Sequence, residues 1–300
     1  MDVVIIGAGT AGLSAAIYVQ RAGKSALVLE GSAYGGQIIN TLDVENYPGI
    51  KHISGFEFAT GLYEQAVELG AQVEFETVLQ VEPKEDGTFT VKTADNAYDC
   101  KAVILATGVR RRELGLDKET ELVGKGVSYC ATCDGAFYKG KDVAVFGGGN
   151  TAVEDAEFLT RFCNKIYLIH RRDQFRADAA EVEKVREKEN LEMVLNSNVT
   201  ALLAEDRLTA VEVTDKNTLE KRVLPVSGLF VAIGQVPSNQ AFADLVELDE
   251  SGYIVAGEDC LTSRPGVFAA GDCRTKKVRQ LTTAAADGAI AALAACSYSG

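Results

Sequence analysis

Short blocks of unbroken hydrophobicity alternate along this chain with stretches in which apolar residues recur every three or four positions. The blocks are rich in Val and Ile and too short for core helices, which predicts strands buried on both faces. One arrangement occurs twice. "DVVIIGAGTAG" begins at Asp2 and "DVAVFGGGNTA" begins at Asp142, an offset of 140 residues that holds position by position. Gly7 corresponds to Gly147, Gly9 to Gly149 and Gly12 to Ala152. Leu13, Ala16 and Ile17 continue the first copy as a helix, and Val153, Ala156 and Leu159 continue the second. Each copy then meets a second strand at the same distance, "SALVLE" ending at Glu30 and "KIYLIH" ending at His170.

A lone glycine-rich turn is weak evidence. Two turns, each between a strand and a helix and each followed by a second strand, point to two dinucleotide-binding βαβ units. The first glycine permits the tight turn, the second lets the backbone approach a pyrophosphate, and the third position must be small for helix and strand to pack. The helix N-terminus then offers free N–H groups and the positive end of its dipole. The units differ where the ribose would lie. Glu30 can accept hydrogen bonds from ribose hydroxyls, whereas the second unit carries His170, Arg171 and Arg172, with Arg176 one turn on. A carboxylate there repels a 2′-phosphate and guanidinium groups bind it. The first unit therefore suits an adenosine with a free ribose, and the second suits NADPH.

Elsewhere the pattern predicts strands and connections. "VEFETVLQVE" and "TFTVKTAD" alternate as antiparallel strands do, "AVILATG" reads as a buried strand of the first sheet, and "RVLPVSGLFVAIG" plays the same part for the second. An alanine-rich, amphipathic final helix is expected from "RQLTTAAADGAIAALAAC". The expected fold is α/β, with two Rossmann-like nucleotide-binding domains and the second inserted into the first. The boundaries are expected near Glu113 and Ala243, giving a discontinuous domain of residues 1–113 and 244–300 around an inserted domain of residues 114–243.

Composition narrows the partners. With 30 basic and 43 acidic residues the formal charge is −13, which argues against nucleic acid, since phosphate-backbone binding needs clustered Lys and Arg. The start runs straight into glycines without a basic leader, and no apolar run is expected to reach the roughly 18 residues of a membrane span. A cytoplasmic location is expected. Seven cysteines in a reducing compartment should be mostly free thiols.

Two of them form the stretch "YCATCDGAF". Zinc needs about four ligands, and the chain has no second CxxC and only His52 and His170, so no metal site is expected. A static disulfide between Cys130 and Cys133 closes too small a loop to stabilise much. A cycling dithiol remains. Adjacent thiols can lower one another's pKa to about 7, and Asp134 is placed to shuttle the proton that thiol–disulfide exchange needs. Cys260 and Cys273 read as bystander thiols.

Taken in order, GAGTAG, Glu30, Gly35-Gly36-Gln37, Asn46-Tyr47-Pro48-Gly49, Ala106-Thr107-Gly108, CATC-Asp134, GGGNTA, HRRDQFRA and AAGDC with its later RQ extend over nearly the whole chain. This set resembles the low-molecular-weight thioredoxin reductases of bacteria. The resemblance implies a homodimeric flavoprotein that passes electrons from NADPH through FAD to a disulfide and on to thioredoxin or a thioredoxin-like protein. The alternative acceptor is a related disulfide, such as that of a peroxiredoxin system. By the family pattern Gly7, Gly9, Gly12, Glu30, Gly36, Gln37, Asn46, Thr107, Gly108, Gly271, Asp272, Arg279 and Gln280 lie around FAD. Gly147, Gly149, Asn150, Thr151, His170, Arg171, Arg172 and Arg176 would hold NADPH. The same pattern gives Cys133 the flavin-facing role, Cys130 the attack on the substrate disulfide and Asp134 the acid–base role. It also implies a domain rotation that alternates nicotinamide and dithiol at the flavin. Family members often carry two aromatics after Cys-Asp-Gly, and here Ala136 precedes Phe137 and Tyr138.

Overall fold

The structure, a computed structural model, describes residues 1–41 and 43–300, the side chain of Asn40 excepted. The chain forms two compact units, one of Met1–Arg110 with Val236–Gly300 and one of Arg111–Gln235. Both divisions fall earlier than the expected Glu113 and Ala243. At the second, Phe242, Leu245 and Val246 bury their side chains in the core of the first unit, so burial fixes that boundary on the N-terminal side of Ala243.

The first unit runs β1 (Val3–Ile6), α1 (Thr10–Arg21), β2 (Ala26–Leu29), α2 (Gly55–Glu68), β3 (Gln72–Glu74), β4 (Gln80–Pro83), β5 (Phe89–Lys92), β6 (Ala97–Cys100) and β7 (Ala102–Leu105). A strand at the first crossing, β8 (Val109–Arg111), leads to the second unit: β9 (Val127–Ser128), α3 (Ala131–Asp134), β10 (Asp142–Gly147), α4 (Asn150–Thr160), β11 (Lys165–Ile169), α5 (Ala179–Arg186), β12 (Leu191–Val194), β13 (Ser197–Ala204), β14 (Leu208–Asp215), β15 (Lys221–Pro225) and β16 (Gly228–Ala232). After β17 (Gln235–Pro237) the chain completes the first unit with β18 (Val267–Ala269) and α6 (Leu281–Tyr298).

Each unit is built on a five-stranded parallel sheet, ordered β18-β7-β1-β2-β3 in the first and β12-β11-β10-β16-β9 in the second. The sequence repeat extends to register: Val3 pairs with Ala26 and Ile6 with Leu29, while Val143 pairs with Ile166 and Phe146 with Ile169. Alternate residues of one strand go to opposite cores. Val3, Ile5 and Val28 pack with α1 and α6, and Val4, Ile6 and Leu27 pack with the antiparallel β4–β6 layer. In the second unit Val143, Val145 and Ile166 join the α4 side, and Ala144, Phe146 and Tyr167 the β13–β15 side. Because both faces are covered, these strands read as continuous apolar runs. Each fully buried Val, Ile or Leu contributes roughly 1.5–3 kcal/mol, so these few strands anchor the fold.

Three segments differ from the pattern's expectation. "VEFETVLQVE" splits into β3, parallel to β2, and β4, antiparallel to β5. "RVLPVSGLFVAIG" likewise splits at Val226–Ser227 into antiparallel β15 and parallel β16. Helix α6, at 18 residues, is long and apolar enough to span a bilayer by length and composition. It packs Ala291, Ala292 and Ala295 into the core shared with α1 and carries the buried Asp287 near its middle.

Candidate active site

In the first unit the glycine turn joins β1 to α1. Gly7 has φ +110°, and a Cβ there would lie 2.4 Å from the Ala106 carbonyl oxygen, so turn and strand end meet where no side chain fits. A Cβ on Gly12 would lie 1.8 Å from the Gly7 oxygen, the close helix–turn approach expected of the third position. At Gly9 the nearest atom to a built Cβ is the Gly36 Cα at 4.0 Å, leaving room over the helix N-terminus. No side chain caps α1, and its first turn carries no acidic residue, so its N–H dipoles meet no built-in anion.

Around this turn the structure gathers most of the residues expected there. Glu30 accepts the Ala8 N–H at 2.8 Å and the Ser32 N–H at 3.0 Å, which ties its carboxylate to the glycine turn. Gly36 and Gln37 open a short 3-10 helix, and both are exposed. Thr107 and Gly108 come after β7, and Gly108 has φ +62°. The Asn46 amide donates to the Gln280 side chain at 3.2 Å. Arg279 donates to the Asp272 carbonyl at 3.4 Å and lies 4.4 Å over the Tyr253 ring. Burial pushes the Asp272 carboxyl up, and its Oδ1 is, among the described residues, the buried side-chain polar atom without a hydrogen-bond partner. An orphaned acceptor beside a glycine cradle is what a hydroxyl-bearing nucleotide cofactor would satisfy. These residues fit FAD.

The second unit repeats the cradle with different chemistry. A Cβ on Gly147 would lie 2.3 Å from the Ala232 oxygen, the counterpart of the Gly7–Ala106 approach. Nothing lies within 4 Å of a Cβ built on Gly149, and α4 is likewise uncapped. Beyond β11 the chain folds over this turn. Arg176 donates its backbone N–H to the Gly148 oxygen at 2.7 Å, and the Asp178 N–H donates to Asn150 Oδ1 at 3.0 Å. Thr151 is exposed in the first turn of α4. His170 stands apart from its neighbours: it is buried, stacks on Phe175 with ring centroids 4.9 Å apart, and donates from Nε2 to the Gln174 carbonyl at 3.1 Å. A Cβ on Gly148 would meet its ring at 2.0 Å, so His170 props the loop. Burial lowers its pKa, aided by the three nearby arginines. Arg171, Arg172 and Arg176 are exposed, and none of them forms an ion pair among the described residues. Three clustered guanidiniums in a chain of net charge −13 fit a phosphate.

The dithiol belongs to the same sheet. β9 lies beside β16 and parallel to it, so the residues after Ser128 leave the carboxyl end of the sheet, as the glycine turn does after β10. Ligands of open α/β sheets bind at that end. In the first unit the equivalent edge strand is β18, and Gly271-Asp272 comes shortly after it. Cys130 and Cys133 form a disulfide with Cα atoms 5.3 Å apart, and both are half-buried. The Ser128 hydroxyl donates to Asp134 Oδ2 at 2.6 Å and accepts the Cys130 N–H at 3.2 Å. Burial raises the Asp134 pKa, and the Ser128 hydrogen bond opposes that in part. Among the described residues no cluster of potential ligands for a metal ion is present.

Sequence reasoning missed Ser128, Asn239, Arg274 and Asp287. Ser128 sits next to the motif, and that adjacency was the one signal that could have found it; its bond to Asp134 emerges only in the structure. The "AIGQVPSN" stretch runs on from the second glycine-turn sheet, yet its Asn239 lies in the first unit and bonds Thr107 at 2.7 Å.

Residues 1–288 match the pyridine nucleotide-disulphide oxidoreductase family. The thioredoxin reductase of Treponema pallidum is 44% identical over 99% of this chain and 96% of its own length. That of Listeria innocua is 40% identical over 99% of this chain and 93% of its own. The crystal structure of thioredoxin reductase from Streptococcus pyogenes superposes with a TM-score of 0.94 at 39% identity, covering 99% of this chain and 97% of that one. With two glycine cradles, one beside a carboxylate and one beside arginines, and a disulfide in the second unit, the chain belongs to the pyridine nucleotide-disulphide oxidoreductase family, on its thioredoxin reductase branch of NADPH- and FAD-dependent enzymes.

Proposed function

We propose that the chain reduces the disulfide of thioredoxin with electrons from NADPH, that Cys130 and Cys133 carry them, and that it works as a cytoplasmic homodimer. The observation that carries this reading is the Cys130–Cys133 disulfide beside a carboxyl held by Ser128, at the carboxyl end of the sheet that also bears the second glycine turn. Met1–Arg110 with Val236–Gly300 serves as the FAD-binding domain and Arg111–Gln235 as the NADPH-binding domain.

FAD, when bound, supplies two-electron transfer between a nicotinamide and a disulfide. Gly9 gives its pyrophosphate a side-chain-free approach while Gly7 and Gly12 permit the tight turn and its packing, Glu30 takes the ribose hydroxyls, and Asp272 with Arg279 and Gln280 orients the remainder. In the second unit Gly147 and Gly149 do the same for NADPH, with Arg171, Arg172 and Arg176 on the 2′-phosphate. His170 supports that loop from beneath.

Reduction through Cys133 opens the internal disulfide to a dithiol. Cys130 then loses its proton to solvent and attacks one sulfur of thioredoxin. The substrate S–S bond breaks, a mixed disulfide forms, and the leaving thiolate takes a proton from Asp134. Asp134, now ionised, accepts the Cys133 proton. Cys133 attacks the Cys130 sulfur, re-forms the internal disulfide and releases the second thioredoxin thiolate, which is protonated from solvent. Two electrons leave the dithiol and two protons balance them.

Cys130→Ser and Cys133→Ser are each expected to retain FAD and to lose NADPH-driven thioredoxin reduction by at least roughly a thousandfold, on the order of other nucleophile losses. Continued reduction by either variant would sink the dithiol assignment. Light scattering of the wild-type chain at twice the monomer mass is expected, and a monomer would remove the homodimer from the reading.

A further inference from the structure

Asn239 is fully buried, with no solvent exposure, and bridges three separate segments of the first unit. Its Oδ1 accepts the Thr107 hydroxyl at 2.7 Å, and its Nδ2 donates to the Gly252 carbonyl at 2.9 Å and the Cys273 carbonyl at 2.8 Å. Both protons of the amide and its oxygen are therefore in use, which fixes the amide's orientation. The segments it joins are the turn after β7, the Asp249–Gly252 loop and the short helix Gly271–Cys273 after β18.

That short helix is also gripped from its other side. Asp287 of α6 accepts the Gly271 N–H at 2.9 Å, together with Arg274 at 2.9 Å and Lys276 at 2.8 Å. Between the Gly271 and Cys273 attachments lies Asp272, with its Oδ1 unpaired. The two residues flanking the orphaned acceptor are thus each fixed by a buried polar group, and the same amide that fixes one of them also holds Thr107.

We propose that Asn239 is a positioning residue for the flavin cofactor, setting the separation between the Thr107–Gly108 turn and the Asp272 carboxylate so that both engage FAD together. Asp287 completes the setting from the α6 side. This rests on the FAD reading of the first unit. Asn239 itself touches no cofactor, because all its side-chain polar atoms are spent on Thr107, Gly252 and Cys273. A smaller side chain cannot span the three segments, and a carboxylate in its place would face two carbonyl oxygens.

The test is titration of deflavinated protein with FAD, read by flavin fluorescence, with absorption spectra of the FAD-saturated proteins. For Asn239→Leu and Asn239→Asp the FAD dissociation constant is expected to rise at least tenfold, and the flavin bands to change shape at saturation. The altered bands separate positioning from plain destabilisation, which lowers apoprotein melting but leaves the saturated spectrum alone. Should the leucine variant fail to fold, Asn239→Ser gives the same readout with a milder change. Wild-type affinity and spectrum in a folded variant would overturn the proposal. A wild-type chain that takes up no FAD overturns the cofactor reading itself, and this inference with it.

Discussion

The Asp134 carboxyl is pulled in two directions, upward by burial and downward by the Ser128 hydroxyl at 2.6 Å. Ser128→Ala removes the opposing influence, since a donor to the carboxylate favours its ionised form. The pKa of Asp134 should therefore rise further. The limb of the kcat–pH profile that reports Asp134 is expected to move to higher pH in this variant, and an unmoved profile would exclude Asp134 as the titrating group. Stability follows the same sign. The folded pKa lies above the ordinary value of 3.8, so the stability gained by keeping the proton is full below that value and is lost as pH rises through the folded pKa. At the other functional cluster, Arg171→Ala and Arg172→Ala should each raise the KM for NADPH roughly tenfold, the worth of one charge-assisted contact. The KM for NADH should stay put, because it lacks the 2′-phosphate. Equal losses with both nucleotides would place these arginines elsewhere than on that phosphate.

At the scale of elements, one strand–turn–helix unit does two jobs that substitution can separate. Gly12→Ala drives a Cβ to within 1.8 Å of the Gly7 oxygen, so α1 must shift off the turn. Gly9→Ala meets nothing closer than 4.0 Å, and its extended backbone, φ −78°, suits alanine. Gly12→Ala is expected to lower thermal stability by about 2 kcal/mol or more, as overpacking of a tight contact does. Gly9→Ala should melt as wild type and lose FAD affinity roughly tenfold or more, because its methyl fills the space left for the pyrophosphate. Calorimetry with FAD titration tells the two apart, and a Gly9→Ala protein with intact affinity would count against that placement. The glycine turns were legible in sequence because steric need selects glycine at named positions. The splitting of "VEFETVLQVE" into β3 and β4 was not, since alternation looks the same whether a segment serves one sheet or two.

Over the whole molecule, each unit buries its own cores on both sides of its own parallel sheet. Ligands should then stabilise the units separately. At roughly a hundred times its dissociation constant FAD should add about 2.7 kcal/mol to the transition of the first unit, and 2′,5′-ADP a similar amount to the second. Differential scanning calorimetry of the deflavinated chain checks this, and a ligand that raised both transitions together would show the units unfolding as one. The sequence by itself determined the duplicated βαβ units, the carboxylate of one against the arginines of the other, and the redox pair, because backbone sterics and thiol chemistry demand particular residues at fixed local spacing. Only the tertiary structure decided that β9 enters the second sheet at the edge that β18 holds in the first, which sets Cys130 and Cys133 where the first unit sets Asp272. It alone buried His170 beneath the arginine loop and brought Asn239 between Thr107 and Cys273. Those placements depend on contacts between residues far apart in the chain or on the burial of a polar side chain, and neither leaves a periodic trace in the sequence.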